Sequence, residues 1–167
     1  MLGLWVGGIL YVDNSVIPDL DPAAIGYRSV VSPGDEESQY ELKPGAARFE
    51  VGTTNTAPYT ALEAAIEIIE DVGTETIQSH INTLATRLSA SVPSERLVSP
   101  SDPESGLVTV RVDDPQTVVE RLNANHDIVV RTLPDPADAI RASLHVYNTR
   151  EDVDALLTGL QSMVDDW

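Results

Sequence analysis

The sequence predicts an α/β fold, and three observations carry that prediction. Apolar residues recur at three- and four-residue steps in helix-like runs, β-rich runs alternate with helices in the C-terminal half, and 42 % of the 167 residues are hydrophobic. A chain of this size can bury one core, or form one domain plus a piece of another. We therefore expect a folded chain despite its net charge of −17.

The first 45 residues are predicted to be mostly loop. Residues 8–12 form a β-rich run that Asp13 and Asn14 end with a turn signal, so we expect a strand there. Because this strand stands at the start of the sequence, we expect it to lack a neighbour and to need a partner chain. Residues 17–45 are rich in Pro, Gly and acidic residues and are expected to be loop with one short strand at residues 27–31.

Two amphipathic helices are predicted next. The first follows Pro58, is stopped by Gly73, and carries the apolar stripe Leu62, Ala65, Ile66, Ile69 and Val72. The second carries the stripe Ile77, Ile81, Leu84 and Leu88. Residues 93–106 contain several Pro, Ser and Asp residues and are predicted to be a connecting loop.

The C-terminal half is predicted to be a small α/β layer. Residues 107–112 and 128–131 are β-rich, and between them Asp114 caps a helix opened by Pro115, which makes a β-α-β unit. A loop with Pro134-Asp135-Pro136 leads to a third strand at residues 140–146. Thr149 then caps a final helix with the apolar face Val153, Leu156, Leu157, Leu160 and Val164.

Composition excludes several function classes. Ten Lys and Arg against 27 Asp and Glu argue against binding nucleic acid or an anionic membrane surface, and no stretch approaches the ~20 apolar residues of a membrane span. The absence of cysteine excludes disulfides and thiolate chemistry. His80, His126 and His145 stand at no metal-ligand spacing, so no metal site is expected.

The excess of acidic over basic residues also indicates the kind of solution in which the protein works. Lys43 is the only lysine, and acidic residues take the place of surface lysines, as expected of a protein kept soluble in high salt where screening relieves self-repulsion. The start of the sequence lacks the features of a signal peptide. We therefore hypothesise a halophilic cytoplasm.

Residues 48–55 combine features of an anion site with those of a helix cap. Gly52 permits close backbone approach, and Thr53, Thr54 and Asn55 offer hydroxyls and an amide just before a helix N-terminus. A phosphate or carboxylate fits such a place because the helix dipole adds to the hydrogen bonds. Thr and Asn are also the residues that cap helices, and local pattern does not decide between the two interpretations.

Three segments in order resemble one family. Arg48-Phe49-Glu50 with Gly52-Thr53 and Asn55, the run Gly7-Gly8-Ile9-Leu10-Tyr11-Val12, and residues 140–149 (Ile-Arg-Ala-Ser-Leu-His-Val-Tyr-Asn-Thr) match its motifs. The chain thereby resembles the class V aminotransferases, the pyridoxal-phosphate enzymes that include cysteine desulfurases and isopenicillin N epimerase-like proteins. The resemblance runs from about residue 3 to residue 163 and covers only the C-terminal part of that family.

The resemblance assigns roles to four residues. Arg141 corresponds to the arginine that holds the α-carboxylate of an amino-acid substrate, whereas pattern alone would favour a surface ion pair for it. Gly52 and Thr53 correspond to residues that bind the phosphate of pyridoxal 5′-phosphate across a homodimer interface, with Asn55 ordering the turn. Arg131 lies in a similar strand-end position and is a weaker candidate, since a structural ion pair fits it as well.

The chain also departs from the family. The Schiff-base lysine is expected a few residues before Gly7, ahead of Met1, and Lys43 lies in a loop where the family has no catalytic group. We therefore expect this polypeptide alone to bind no cofactor and to be inactive. Desulfuration through a cysteine persulfide is disfavoured because cysteine is absent. Aminotransferase, epimerase and lyase chemistry remain open for a full-length relative.

The sequence thus predicts the small C-terminal α/β domain of a fold-type-I pyridoxal-phosphate enzyme, plus the tail of its large domain. Residues 1–73 are expected to be the remnant of the large domain and residues 74–167 the small domain. The alternative is a stand-alone, non-catalytic binding or regulatory module. Such a module would hold a small carboxylate through Arg141 or associate with a full-length paralogue as a non-catalytic subunit.

Overall fold

The computed structural model describes residues 8–34, 40–134 and 136–163. Gly7, residues 35–39 of the predicted loop, Asp135 and Val164 lie outside these ranges. The chain divides into two compact units, Met1–Ile68 and Ile69–Trp167. The units meet between Ile68 and Ile69, five residues before the domain boundary expected between residues 73 and 74. The assignment of residues 1–73 to a large domain stays a prediction.

Four α-helices appear close to their predicted positions. They are α1 (Ala57–Val72), α2 (Thr74–Ser91), α3 (Pro115–His126) and α4 (Arg150–Gln161). Gly73 separates α1 from α2 at φ 85°, a left-handed conformation that favours glycine and breaks the helical path. No helix within the described ranges combines the length and apolar character needed to cross a membrane.

The second unit contains a three-stranded antiparallel sheet. Its strands are β1 (Leu107–Arg111), β2 (Arg131–Thr132) and β3 (Ala139–Ser143), in the order β1-β3-β2. Both outer strands run antiparallel to β3, so β1 and β2 run in the same direction with β3 between them. The β-α-β unit predicted from the sequence is therefore present but split by the third strand, and the mixed α/β class is confirmed.

One face of this sheet is covered by helices. Val108 and Val110 of β1 lie opposite Ala142 and Ile140 of β3, and all four are at most 5 % exposed. They form one cluster with buried residues of α2, α3 and α4, among them Leu84, Leu88, Leu122, Val153 and Leu160. Because side chains alternate along a strand, Thr109, Arg111, Arg131 and Arg141 belong to the other face.

Helix caps fix the starts of α3 and α4. The Asp114 carboxylate accepts a hydrogen bond from the Thr117 N–H at 3.1 Å. Hydrogen bonds from Thr117 hold the pKa of that carboxyl below its usual value. Thr149 forms a capping box with Asp152 at the start of α4. Both caps agree with the sequence predictions, because capping depends on residues only three apart.

Three strand predictions were wrong, and a fourth was mostly wrong: of the strand expected at residues 128–131, only Arg131 belongs to β2 (Arg131–Thr132). Residues 8–12 form no strand, and Ile9, Leu10 and Tyr11 are 63–82 % exposed, since no other described strand lies beside them to supply hydrogen-bond partners. Residues 27–31 form a turn with a single bridge, Val30 to Leu42. The third C-terminal strand ends at Ser143 rather than residue 146, because the chain turns there toward α4.

Ahead of α1, the described residues of the first unit are mainly loop, as predicted, and a close backbone contact holds them. A Cβ atom on Gly26 would clash with the Val51 carbonyl oxygen, so only glycine fits. The Ser29 hydroxyl, fully buried, donates to the Glu50 carbonyl at 2.8 Å and accepts from the Gly26 N–H at 3.1 Å. These contacts place residues 50–52 against the turn at residues 26–29.

We predict that Gly26→Ala destabilises the first unit by about 1–3 kcal/mol, because the new methyl group forces the Val51 carbonyl away. Hydrogen exchange at the Ser29 and Lys43 amides, which donate to Gly26 and Ser29 carbonyls, reports the loss. Gly52→Ala is the matched control, since its Cβ meets no atom within 4 Å. Equal protection in Gly26→Ala and the unaltered chain would contradict this account.

Candidate functional site

The charged residues of the 48–55 segment stabilise the first unit. Arg48 donates from Nε to the Lys43 carbonyl and from Nη1 to the Ile17 carbonyl, both at 3.2 Å. Glu50 pairs with Arg28 at 2.9 Å. The side chains of Arg48 and Glu50 are therefore already bonded within the unit. A ligand at this segment would instead contact residues 52–55.

Residues 52–55 present unused donors. Within the described ranges, the backbone N–H groups of Gly52, Thr53, Thr54 and Asn55 donate no hydrogen bond. The space where a side chain of residue 52 would stand is open. The Thr53 hydroxyl lies 2.6 Å from the Tyr27 hydroxyl, which fixes the position of its oxygen. This turn therefore presents free N–H groups and a hydroxyl, which are the donors that an anion accepts hydrogen bonds from.

Residues 57–59, the first of α1, have no free backbone N–H group for an anion. Asn55 Oδ1 accepts from the Ala57 N–H at 3.2 Å, Pro58 has no N–H, and the Tyr59 N–H donates to the Thr56 carbonyl at 3.0 Å. Asn55 thus orders the turn and caps the helix. The expected hydrogen bonds from the helix itself are already taken at these positions, and the loop supplies the free donors instead.

Arg141 lies in the middle of β3, on the face turned away from the core. Its Cα partners are Thr109 in β1 and Arg131 in β2. The Nε atom is buried and has no hydrogen-bond partner among the described residues. A buried donor without a partner is costly, so Arg141 stands out as a candidate for binding an acceptor.

The segment after Arg141 turns the chain into α4. Asn148 Oδ1 accepts from the His145 N–H at 2.9 Å, and the Asn148 carbonyl lies 2.9 Å from His80 Nε2. The His145 and Tyr147 rings stack with centroids 5.1 Å apart. Asn148 and Thr149 therefore act locally, by holding the turn and capping the helix that positions the end of β3.

The predicted site residues fall in two groups. Gly52, Thr53 and Asn55 belong to the unit Met1–Ile68, and Arg141 belongs to Ile69–Trp167. Sequence reasoning missed Tyr27, whose contact with Thr53 spans 26 positions and leaves no local signal. Within the described ranges, no group of His, Asp and Glu side chains is arranged to hold a metal ion.

Comparison with known proteins gives a consistent result. The family model described as aminotransferase class-V matches residues 6–156. A probable cysteine desulfurase of Methanothermobacter thermautotrophicus is 29 % identical over 89 % of this chain, and a cysteine desulfurase of Escherichia coli is 32 % identical over 92 %. In both comparisons the chain spans 41 % of the length of the relative.

Solved structures agree. The cystine C-S lyase C-DES, in a point mutant with glycine covalently linked to its PLP cofactor, matches 90 % of this chain with a TM-score of 0.78 and 29 % identity. The match covers 40 % of that protein. The family resemblance and the partial fold-type-I architecture predicted from the sequence are confirmed: the chain belongs to the class-V aminotransferase family.

Proposed function

We propose that this chain supplies the substrate-carboxylate arginine and the cofactor-phosphate turn of a PLP-dependent enzyme acting on an amino acid. The observation that carries the proposal is the buried Arg141 Nε, which has no partner among the described residues of a protein with 27 acidic side chains. A surface ion pair was the ordinary alternative for this residue. No such pair forms within the described part of the chain, and a substrate carboxylate would provide the acceptor.

Arginine suits this role through its shape. Its planar guanidinium donates two parallel hydrogen bonds to one carboxylate, which fixes both the position and the orientation of the substrate. A β-strand holds the Cα of Arg141 between Thr109 and Arg131, so the backbone gives the side chain a rigid base. We propose that Arg141 thereby positions the α-carbon of the amino acid for reaction.

The turn at residues 52–55 fits the phosphate of pyridoxal 5′-phosphate. It combines open space at Gly52, unused backbone N–H groups and the Thr53 hydroxyl, whereas Arg48 is engaged by carbonyl groups. When bound, this cofactor supplies an electron sink for cleavage of bonds at the amino acid's α-carbon. Following the family resemblance, we propose that Gly52 and Thr53 serve the site of a second subunit in a homodimer.

Lys43 is proposed to take no part in the chemistry. Its N–H donates to the Ser29 carbonyl at 2.8 Å, and its carbonyl accepts from Arg48, so its backbone belongs to the loop that supports the turn. It is the only lysine among the 167 residues. We therefore propose that these residues alone form no Schiff base and are inactive, and that catalysis depends on a lysine supplied elsewhere.

We propose for this chain a reaction of the wider family other than the one for which the cysteine desulfurases are named. Several relatives are named cysteine desulfurases, but these 167 residues contain no cysteine to carry a persulfide. We propose aminotransferase, epimerase or lyase chemistry instead. The second candidate is a non-catalytic binding module, and it is favoured by the buried core that Ile69–Trp167 possesses together with Arg141.

Both candidates predict that Arg141 binds a carboxylate, and L-alanine titration followed by NMR at arginine Nε–H groups tests this. We expect saturable shifts that disappear in Arg141→Met and weaken about tenfold in Arg141→Lys, which keeps the charge but loses the fork. Arg121→Met, an exposed change on α3, is the control. Equal binding by Arg141→Met, or no binding at all, would rule out the carboxylate role.

We also propose that the protein works in a salt-rich cytoplasm. Three ion pairs join described residues, and each leaves its carboxylate at least half exposed, so most acidic groups repel one another through solvent.

We expect the unfolding midpoint, followed by circular dichroism, to rise between about 0.1 M and about 1 M KCl, as the Debye length falls from about 10 Å to about 3 Å. An equal concentration of sorbitol controls for effects unrelated to charge. A midpoint independent of salt would contradict this proposal.

A further inference from the structure

Two arginines face each other across the sheet. Arg131 of β2 is the direct Cα partner of Arg141 of β3 in an antiparallel pair. Directly opposite residues have Cα atoms about 4.5–5.5 Å apart and point to the same face. Arg131 therefore shares the face of Arg141, away from the core. This inference rests on the proposed function, in which Arg141 holds the α-carboxylate of an amino acid.

The pairing is unfavourable without a ligand. Like charges directly opposite each other on a sheet destabilise it. Within the described ranges, Arg131 forms no ion pair and donates no side-chain hydrogen bond, whereas Arg28 and Arg87 each pair with a carboxylate. In a protein with 27 acidic and ten basic residues, an unpaired arginine facing another is unexpected unless something anionic binds there.

The rest of this face adds no negative charge. By alternation, the strand positions on the same face as Arg141 are Leu107, Thr109, Arg111, Arg131, Ala139, Arg141 and Ser143, of which Ala139 is buried. Arg111 lies diagonally from Arg141, since its own Cα partner is Ala139. The face thus combines three guanidinium groups with a threonine and a serine hydroxyl, and its strands contribute no carboxylate. A ligand with one carboxylate would satisfy Arg141 and leave Arg131 unpaired.

We propose that the amino acid carries a second anionic group on its side chain and that Arg131 binds it while Arg141 binds the α-carboxylate. Arg131 is then a specificity-determining residue, and the substrate class is the acidic amino acids. The two groups stand on neighbouring strands, and a short dicarboxylate spans the distance between adjacent side chains. Two charge-assisted pairs then replace the repulsion between the guanidinium groups.

The test compares charged and neutral side chains of matched size. L-aspartate, L-asparagine, L-glutamate and L-glutamine are titrated into the 167-residue chain, with binding followed by NMR at arginine Nε–H groups. We expect each acid to bind about tenfold or more tightly than its amide, since a hydrogen bond to a charged group is worth at least that factor. Arg131→Met abolishes this preference, Arg131→Lys restores part of it, and Arg121→Met leaves it intact.

Thermal unfolding tests whether Arg131 has a structural role in the sheet rather than a role in specificity. Because removal of Arg131 relieves repulsion, the Tm of Arg131→Met without ligand should not fall below that of the unaltered chain. A lower Tm would indicate that Arg131 stabilises the sheet and would overturn the inference.

The binding data separate failure of this inference from failure of the proposed function. Equal affinity for acids and amides, with both still dependent on Arg141, overturns the role of Arg131 alone. Affinities unaffected by Arg141→Met, or no binding of any of the four amino acids, overturn the carboxylate role of Arg141 and this inference together.

Discussion

The alternation of side chains along β1 and β3 determines both the core and the candidate site. Val110 and Ile140 face the helices, so Thr109 and Arg141, one position along each strand, must face away from them. A shift of one residue in the pairing would exchange the two sets, burying the guanidinium and exposing the core. The apolar packing that stabilises the sheet therefore also fixes which face carries Arg141.

A different constraint shapes the turn at residues 52–55. Few of the described side chains of the first unit are buried, among them Ile17, Val30 and Ala65. The described residues of this unit depend on specific hydrogen bonds rather than on a large core. The contact of Gly26 with Val51 and the buried Ser29 hydroxyl hold the backbone immediately before Gly52. The same segment thus combines a fixed support with a turn whose N–H groups stay available.

The sequence predicted features that depend on nearby residues and failed where distant partners decide. The caps at Asp114 and Thr149 and the break at Gly73 follow from a few neighbouring residues. The strand expected at residues 8–12 was wrong because β propensity does not supply a partner strand. Likewise, the contact of Tyr27 with Thr53 and the pairing of Arg131 with Arg141 require the tertiary fold and its register. Arg141 itself was found through a motif, and the structure adds the buried Nε.

The central claim is that these residues are the substrate- and phosphate-binding part of a PLP-dependent class V enzyme. The most direct measurement is the DNA sequence upstream of the Met1 codon, translated in the same frame. The account predicts an open frame that encodes a lysine a few residues before Met1, preceded by a large α/β domain. A stop codon or unrelated sequence in that frame would contradict the enzyme proposal and leave the carboxylate-binding module as the function to pursue.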